Sequence, residues 1–234
     1  MIIMRLYYPF DYSLVTQSFG QNANSLYASQ CLKGHTGDDY GASYGAPIPN
    51  CAENAYCYAT INRDNPDPSL YRAVYTLVEG PDWAYEVSYG HCNEIYATVG
   101  ETYAVGQILA SMGNTGPVYQ NGVEVTKEAK LAGSHAGAHL HFQVRKAQKE
   151  STELPFTPGA TYLYDGHGVL AKDGYRYLVP DYTNGFNGCV SPEPFYAHLL
   201  AKDYQKEVSL LSALVKVLTT LLSLLGRKSP GITN

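Results

Sequence analysis

The chain has 234 residues, with 16 Lys or Arg against 21 Asp or Glu, so its formal net charge at pH 7 is -5. This length is ample for one large domain with a buried core. The cationic residues are scattered rather than clustered, and we therefore expect no nucleic-acid partner. The 22 tyrosines combine apolar rings with hydroxyl groups, which suits a polar groove in a β-rich protein.

The N-terminus has no charged segment followed by a long apolar core and a cleavage site, so we expect no signal peptide. If the protein acts outside a cell, another route must deliver it. The five cysteines lack Cys-x-x-Cys spacing, which disfavours a structural zinc knuckle. Cys51 and Cys57 could close a short disulfide loop, or they could remain buried thiols.

The first half of the chain favours β-structure. Between residues 15 and 109, short β-type runs are separated by Gly, Pro and Asn, and helical periodicity is absent. The predicted strands include residues 56–61, 73–78, 83–89 and 107–112. A mostly β fold is expected.

The middle of the chain contains two long excursions. Residues 118–137 are polar and predict a surface excursion, and residues 146–188 predict a β-rich insertion. The insertion contains Asp173 and Gly174 between alternating runs, which indicates a β-hairpin. We predict one domain over residues 1–200 that includes this insertion.

The C-terminal region predicts a leucine-rich amphipathic helix over residues 201–226, followed by a tail over residues 227–234. Lys216 and the neighbouring Ser and Thr residues disfavour a membrane span. The broad apolar face predicts self-association or binding to a partner protein. Its central leucines follow a 3-4-3-4 spacing typical of a helix-packing seam, at positions 211, 214, 218, 221 and 225.

Two histidines lie in an apolar, strand-like stretch at residues 138–144. In a strand, side chains two residues apart point to the same face, so His139 and His141 project together. Such a pair suits a metal site in which one imidazole binds the ion and the other reaches the substrate or water. The alternative is a pair of polar residues on a solvated strand face.

A second histidine-containing element comes earlier, at residues 35–39. In a flat strand the Cα atoms of His35 and Asp39 would be about 13 Å apart, too far to share an ion. We therefore predict a bend, for which Gly37 supplies a permissive backbone. With one histidine of the later pair, these residues form a two-histidine, one-aspartate set suited to catalytic zinc. Asp38 is a rival carboxylate.

Other candidate residues give weaker signals. His91 follows a β-type run and, taken alone, predicts an ordinary strand-end histidine. His135 is an alternative metal ligand, but its glycine-rich surroundings favour a loop. His167 and His198 have no partner pattern and are expected at the surface.

Residues 41–45 match the serine-hydrolase motif G-x-S-x-G. That motif requires a helix directly after the serine turn. Pro47 and Pro49 disfavour such a helix, so we reject this function.

The motifs, taken in order, resemble the lysostaphin-like zinc metalloendopeptidases of bacterial cell walls. The family's H-x-G-x-D is matched by residues 35–39, and its Y-G-H by residues 89–91. Its glycine-rich region ending in G-N-T-G resembles residues 100–116, with Gly106-Gln107-Ile108 and Gly113-Asn114-Thr115-Gly116 intact. Its H-L-H-F strand is matched by residues 139–142, and residues 187–195 resemble its closing N-P-x-P-F stretch.

The resemblance implies a particular site and fold. His35, Asp39 and His141 would bind one zinc ion per chain, and His91 and His139 would be the catalytic residues that flank it. We expect His139 to act as the base and His91 to stabilise the oxyanion, although the sequence does not distinguish these roles. The implied fold is an antiparallel β-sheet peptidase domain, the duplicated hybrid motif, with the site in an open groove.

The resemblance also implies a function, which is zinc-dependent hydrolysis of the peptide cross-links of bacterial peptidoglycan through a metal-activated water. We expect action at the cell wall, as a bacteriophage lysin released at lysis or carried in the virion. The C-terminal helix would then bind another copy or a virion partner. The alternative is a non-catalytic structural or binding module of the same fold in a virion. Gln143 replaces the family's common glutamate, and the excursions leave the cleaved bond open.

Overall fold

The computed structural model describes residues 4–22 and 25–225, and within them the chain is mostly β, as predicted. The helices are α1 Ser25–Ser29, α2 Lys127–Leu131 and α3 Ala201–Leu225, with 3-10 turns at Tyr12–Leu14 and Glu193–Phe195. The strands are β1 Leu6–Tyr8, β2 Val15–Gln17, β3 Asp38–Tyr40, β4 Pro47–Pro49, β5 Ala55–Ile61, β6 Ala73–Glu79, β7 Trp83–Gly90, β8 Cys92–Ile95, β9 Thr102–Tyr103, β10 Ile108–Met112, β11 Tyr119–Gln120, β12 Val123–Glu124, β13 Leu140–Ser151, β14 Thr161–Tyr162, β15 Ala171–Lys172, β16 Tyr175–Val179, β17 Cys189–Val190 and β18 Tyr196–Leu200.

The main sheet is organised around the long strand β13. On one side β13 pairs with β7, which is followed by β6, β5 and β9. On the other side it pairs in succession with β3, β17 and β16. The pairings in this sheet are antiparallel, as expected, whereas β1 and β18 form a separate parallel pair.

Side chains of β13 alternate between a buried face and a groove-facing side. Leu140, Phe142 and Val144 are completely buried on the first face. They belong to the core shared with the smaller sheet β4–β10–β8, which contributes residues such as Ile48 and Leu109. The opposite side of the same stretch therefore stays available for polar side chains.

The far end of β13 is covered by the chain that follows it. Ala147, which shares its side of the strand with His141, packs in a second buried cluster with Leu163, Leu170 and Tyr177. Lys146 lies on the other side, with Nζ 3.8 Å from the ring centroid of Trp83, the only tryptophan of the chain. The groove side of the sheet is thus open at one end and covered at the other.

The local predictions largely agree with these elements. The four predicted strands are confirmed, with each end within one residue of the strand observed. The hairpin turn at Asp173 and Gly174 is also confirmed, between β15 and β16. Residues 118–137 form the hairpin β11–β12 and helix α2. The proposed boundary at residue 146 falls inside β13, and the division into domain, insertion and tail stays a prediction.

Helix α3 follows β18 directly and contacts the domain near its start. The Tyr204 ring lies 4.5 Å from the Tyr7 ring, and its hydroxyl donates to Glu53. Farther along, several apolar side chains are exposed, including Leu214, Leu218 and Leu221. No helix in the described ranges is long and apolar enough to cross a bilayer. The side chains of residues 211 and 225 and the tail 227–234 lie outside the described part.

The cysteines form no disulfide. Cys31 is exposed, whereas Cys51, Cys57, Cys92 and Cys189 are buried as free thiols. Burial raises the pKa of the Cys189 thiol to about 11 and that of the Cys57 thiol likewise to about 11. The buried-thiol interpretation of Cys51 and Cys57 therefore agrees with the structure.

Candidate metal centre

Three ligand-type atoms from distant parts of the sequence converge at the open end of the main sheet. His35 Nε2 lies 2.9 Å from His141 Nδ1 and 3.2 Å from Asp39 Oδ1. His141 Nδ1 lies 2.8 Å from the same Asp39 oxygen. Among the described residues, this is the group of three that could hold a metal ion.

Strand register brings this set together. β3 pairs with the first residues of β13, so Asp39 and His141 stand directly opposite each other. The chain bends ahead of β3, as predicted, and this bend turns His35 back towards its partners. Gly37 is required for a different reason from the one predicted. A Cβ atom there would come 2.2 Å from the Phe142 carbonyl oxygen, so the close approach of two backbones excludes larger residues.

Asp38 is turned away from this centre. Its carboxylate accepts hydrogen bonds from the Phe19 backbone N–H at 2.9 Å and the Tyr196 hydroxyl at 3.2 Å. Burial raises the pKa of this carboxyl group. Because adjacent residues of a strand face opposite sides, only one of the two aspartates can point to the histidines.

The three side chains fit a shared divalent metal ion better than they fit a set of hydrogen bonds among themselves. If both His35 Nε2 and His141 Nδ1 carried protons for Asp39, two donors would face each other at 2.9 Å. A cation shared by the three atoms removes this conflict. Tetrahedral zinc with ligand bonds near 2.0 Å separates its ligand atoms by about 3.3 Å, close to the spacing here. Two imidazoles and one carboxylate are also the donor types that zinc accepts.

The surroundings favour the protonation states that metal binding needs. Burial alone would raise the pKa of Asp39, but hydrogen bonds from His141 and His35 hold it well below its usual range. Burial lowers the pKa of His141, although Asp39 partly opposes this effect. The two lowered pKa values favour an ionised Asp39 and an uncharged His141, which are the forms that bind a metal ion.

His139 lies beside this centre, immediately before β13. Its Nδ1 is 2.8 Å from the Gly137 carbonyl oxygen, which can only accept, so the proton is assigned to Nδ1. The other ring nitrogen, Nε2, faces the centre and lies 3.5 Å from Asp39 Oδ2. His139 and His141 share one side of the chain, as the sequence predicts.

His91 completes the cluster, with its ring centroid 4.4 Å from that of His139. Its Nδ1 is 2.7 Å from the Thr115 carbonyl oxygen, so Nδ1 donates and Nε2 is unprotonated. Burial, together with the nearby His139 and His141, lowers the pKa of His91 well below its ordinary value. Its backbone has a φ of 59°, a left-handed conformation uncommon for residues other than glycine. Backbone strain of this kind often accompanies functional sites.

A hydrogen-bond relay supports His141 from behind. Its Nε2 lies 3.3 Å from the Thr36 hydroxyl oxygen, which accepts a hydrogen bond from Gln143 Nε2 at 2.6 Å. The Ser88 hydroxyl donates to the Gln143 carbonyl oxygen at 3.3 Å. With Nδ1 turned towards the centre, Nε2 would carry the proton and donate to Thr36. This contact fixes the ring orientation and its tautomer.

A tyrosine packs closely against the site. The Tyr71 ring meets the His91 ring edge-on, with 4.9 Å between centroids. A Cβ atom at Gly90 would come 1.9 Å from the Tyr71 hydroxyl, so a glycine is needed at this position. Gly90 stands opposite His141 in the sheet. The missing side chain therefore makes room for a phenol beside a candidate ligand.

The centre opens into a groove of about 910 Å³. Its lining combines residues of β2 and the α1 region, the hairpin β11–β12, and Asn187 ahead of β17. The five predicted site residues all border it: His35, Asp39, His91, His139 and His141. A groove of this size can accommodate several residues of an extended peptide.

Of the remaining histidines, His135 and His167 take no part in this cluster. His135 stacks on Tyr44, with ring centroids 3.8 Å apart. His167 is exposed in a loop, and the side chain of His198 lies outside the described part of the structure. Residues 41–45 form a turn between β3 and β4 rather than the start of a helix.

Several site features could not be found in the sequence. The carbonyl groups of Gly137 and Thr115, which fix the two histidine tautomers, carry no residue-type signal. Thr36 does lie inside the first motif, but its contact with His141 depends on tertiary register. Tyr71 is one of many tyrosines, and only its packing on Gly90 distinguishes it.

No protein-family model matches the chain, and no curated protein matches it. Solved structures do match. LytU has 21% identity and a TM-score of 0.45, over 80% of this chain and 86% of LytU. The catalytic domain of the antimicrobial peptidase lysostaphin from Staphylococcus simulans has 16% identity and a TM-score of 0.38, over 70% and 79%. A zinc-containing peptidase from Vibrio cholerae has 22% identity and a TM-score of 0.40, over 60% and 37%.

Proposed function

We propose that this chain is a zinc-dependent endopeptidase that hydrolyses peptide cross-links of bacterial peptidoglycan. The observation that carries the proposal is the convergence of His35 Nε2, Asp39 Oδ1 and His141 Nδ1 within 3.2 Å of one another. Two further histidines stand beside them, each with Nδ1 held by a backbone carbonyl group. A structural metal site would not need that second pair.

In this proposal His35, Asp39 and His141 hold one zinc ion. When bound, zinc supplies Lewis-acid chemistry, acidifying water and polarising a carbonyl group. Thr36 keeps the His141 ring in its binding orientation. Tyr71 and the groove lining position the peptide against the centre.

His139 and His91 would move the protons. In both rings Nδ1 faces a backbone carbonyl group, and Nε2 is the atom that faces the centre. A ring that accepts a proton at Nε2 can later donate that proton. We propose His139 as the first acceptor, because Asp39 Oδ2 at 3.5 Å would interact favourably with an imidazolium. The protonated His139 would then return the proton to the leaving amine. The resemblance assigns His91 to the oxyanion, but its Nδ1 proton is held by Thr115 and its pKa is lowered, so we propose that its Nε2 accepts a hydrogen bond from the attacking water or the leaving amine.

The test combines metal analysis with digestion of cell walls. The purified full chain should contain one zinc per molecule and should release peptide fragments from bacterial sacculi, and a chelator should abolish the release. A chain without zinc, and unable to regain it, would contradict the proposal and favour a non-catalytic module. Mass spectrometry of the fragments would identify the bond that is cut.

We further propose that helix α3 mediates self-association or attachment to a virion protein. The support is its row of apolar side chains, of which Leu210 is 63% and Leu214 is 54% exposed. Deletion of residues 206–234 should leave peptidase activity within about twofold and lower the number of subunits per particle, as measured by light scattering. A monomeric mass for both the full-length and the truncated protein would contradict self-association. Delivery by a bacteriophage stays a prediction from the sequence.

A further inference from the structure

The groove beside the candidate metal centre is rich in side chains that are polar but carry no charge. Four tyrosines line it, and among the described residues its single carboxylate is that of Asp39. No lysine or arginine belongs to this lining in the ranges described. Six primary amides surround it: Gln17, Gln30, Gln120, Asn121, Gln143 and Asn187.

These amides come from separate parts of the chain, and the fold holds several in place. Gln17 Nε2 donates to the Tyr27 hydroxyl at 2.7 Å. Gln120 Oε1 accepts from the Gly137 backbone N–H at 3.2 Å. Gln143 is held by Thr36. Because an amide both donates and accepts, it matches the N–H and C=O groups of a peptide backbone.

Three cationic side chains near the groove do not belong to its lining, and two of them, Arg145 and Lys130, have partners elsewhere. Arg145 contacts the Asn187 backbone through Nε, but its Nη1 is paired with Glu86 at 2.5 Å. Lys33 packs its aliphatic stem against Gly185. Lys130 donates to the Gly116 carbonyl oxygen. Away from the metal centre, a substrate carboxylate in the groove would therefore lose hydration without gaining a cationic side chain from the lining, which is unfavourable.

We propose that this groove selects peptide segments that carry no charge beside the scissile bond. This inference rests on the proposed peptidase function and narrows its substrate class. The chain would cut internal bonds between uncharged residues, and bonds next to a free carboxylate would be poor substrates.

The test uses the zinc-loaded full chain and three acetylated, amidated hexapeptides. One contains only Gly and Ala, and the others carry a single Gln or a single Glu next to the bond that is cut. The Gln and Glu peptides differ in charge but hardly in size. We expect kcat/KM for the Gln peptide to exceed that for the Glu peptide at least tenfold. Equal rates, or faster cleavage of the Glu peptide, would overturn the inference and leave the peptidase function intact.

Sacculi supply a second readout. If all the fragments released from sacculi arise by cleavage next to a free carboxylate, the inference is also overturned, even if the hexapeptides are cut slowly. If the zinc-loaded chain cleaves neither sacculi nor any hexapeptide, the proposed function itself fails. The two failures are therefore distinguishable.

A charge variant tests the role of the lining directly. Gln30→Lys places a cation on an exposed part of the groove, and we expect it to raise the Glu-to-Gln rate ratio at least threefold. Gln148→Lys is the matched control, because it makes the same charge change on an exposed position of β13 outside the lining. An unchanged ratio for Gln30→Lys, or an equal rise in both variants, would contradict the inference.

Discussion

The two ends of strand β13 use polar side chains in opposite ways. At the covered end, which we define as residues 145–151, carboxylates are matched by cations and hydroxyl groups. Glu79 accepts from Lys149 at 3.0 Å, Lys172 at 2.6 Å and the Tyr177 hydroxyl at 2.8 Å. The open end comprises residues 140–144. There the His141 imidazole lies against the Asp39 carboxylate and the His35 imidazole, and this group of three contains no cationic side chain.

This difference shows which polar residues hold the fold and which are available for chemistry. A balanced cluster, such as the one around Glu79, has little left to offer a ligand. The open end instead has more acceptor atoms than protons, so it gains most from a bound cation. Substitutions at the two ends should therefore separate stability from metal binding.

The largest expected effect is that of Asp39→Asn. Without the shared carboxylate the centre should lose its zinc, and activity should fall by more than the roughly 100-fold typical for loss of an outer-shell partner. Zinc content and sacculus digestion measure both effects. Asp38→Asn is the matched control and should keep both. Loss of zinc in the Asp38 variant alone would mean that the ligand is misassigned by one residue.

At the covered end, Glu86→Gln should destabilise the fold and leave zinc binding unchanged. Glu86 is buried and pairs with Arg145 on the neighbouring strand, and it also accepts from the Tyr58 hydroxyl. Removing one partner of such a pair costs about 3 kcal/mol in the free energy of unfolding. Denaturant titration measures the loss. The double variant with Arg145→Met should recover part of it, and a lack of recovery would argue against the ion pair as the cause.

His139→Ala and His91→Ala should retain zinc and lose turnover by about 100-fold or more, as expected for general acid–base groups. Neither side chain is among the three converging ligand atoms. Metal analysis decides the outcome. If His139→Ala empties the site, the two histidines of the strand have exchanged roles.

The smallest expected effect is that of Thr36→Val. This substitution removes the hydroxyl group that contacts His141 and nearly keeps the shape of the residue 36 side chain. We expect zinc affinity to fall by about tenfold, because the imidazole loses its orienting partner. Competition with a chelator measures the affinity. Ser88→Ala, two steps farther along the same relay, should change the affinity much less. Equal effects would assign the loss to general loosening of the sheet.

The sequence contained enough to predict the main strands and the five residues around the centre. The pair His139 and His141 was recognisable because strand periodicity places alternate residues on one side. The link between His35 and Asp39 was also recognisable, because their separation requires a bend. His91 was the weakest case. On its own it predicted an ordinary strand-end residue, and only the resemblance assigned it a role.

Other features depended on contacts that local patterns do not encode. The reason for Gly37 was misjudged, because the close approach of Phe142 is a property of the sheet and not of the bend. The continuation of β13 to Ser151 was missed because polar residues such as Lys149 gain their partners only in the folded chain. The neutral character of the groove was likewise hidden, since its amides come from segments far apart in sequence.

The position of Trp83 gives the protein a built-in optical reporter. Trp83 pairs with Gln148, seven residues along β13 from His141, a separation of roughly 23 Å. Tryptophan fluorescence should therefore follow unfolding of the covered end while remaining insensitive to zinc occupancy. Tyr71, by contrast, packs against the His91 ring at the site. Changes in tyrosine absorbance on metal addition, without a tryptophan signal, would allow occupancy and folding to be read separately in one unlabelled sample.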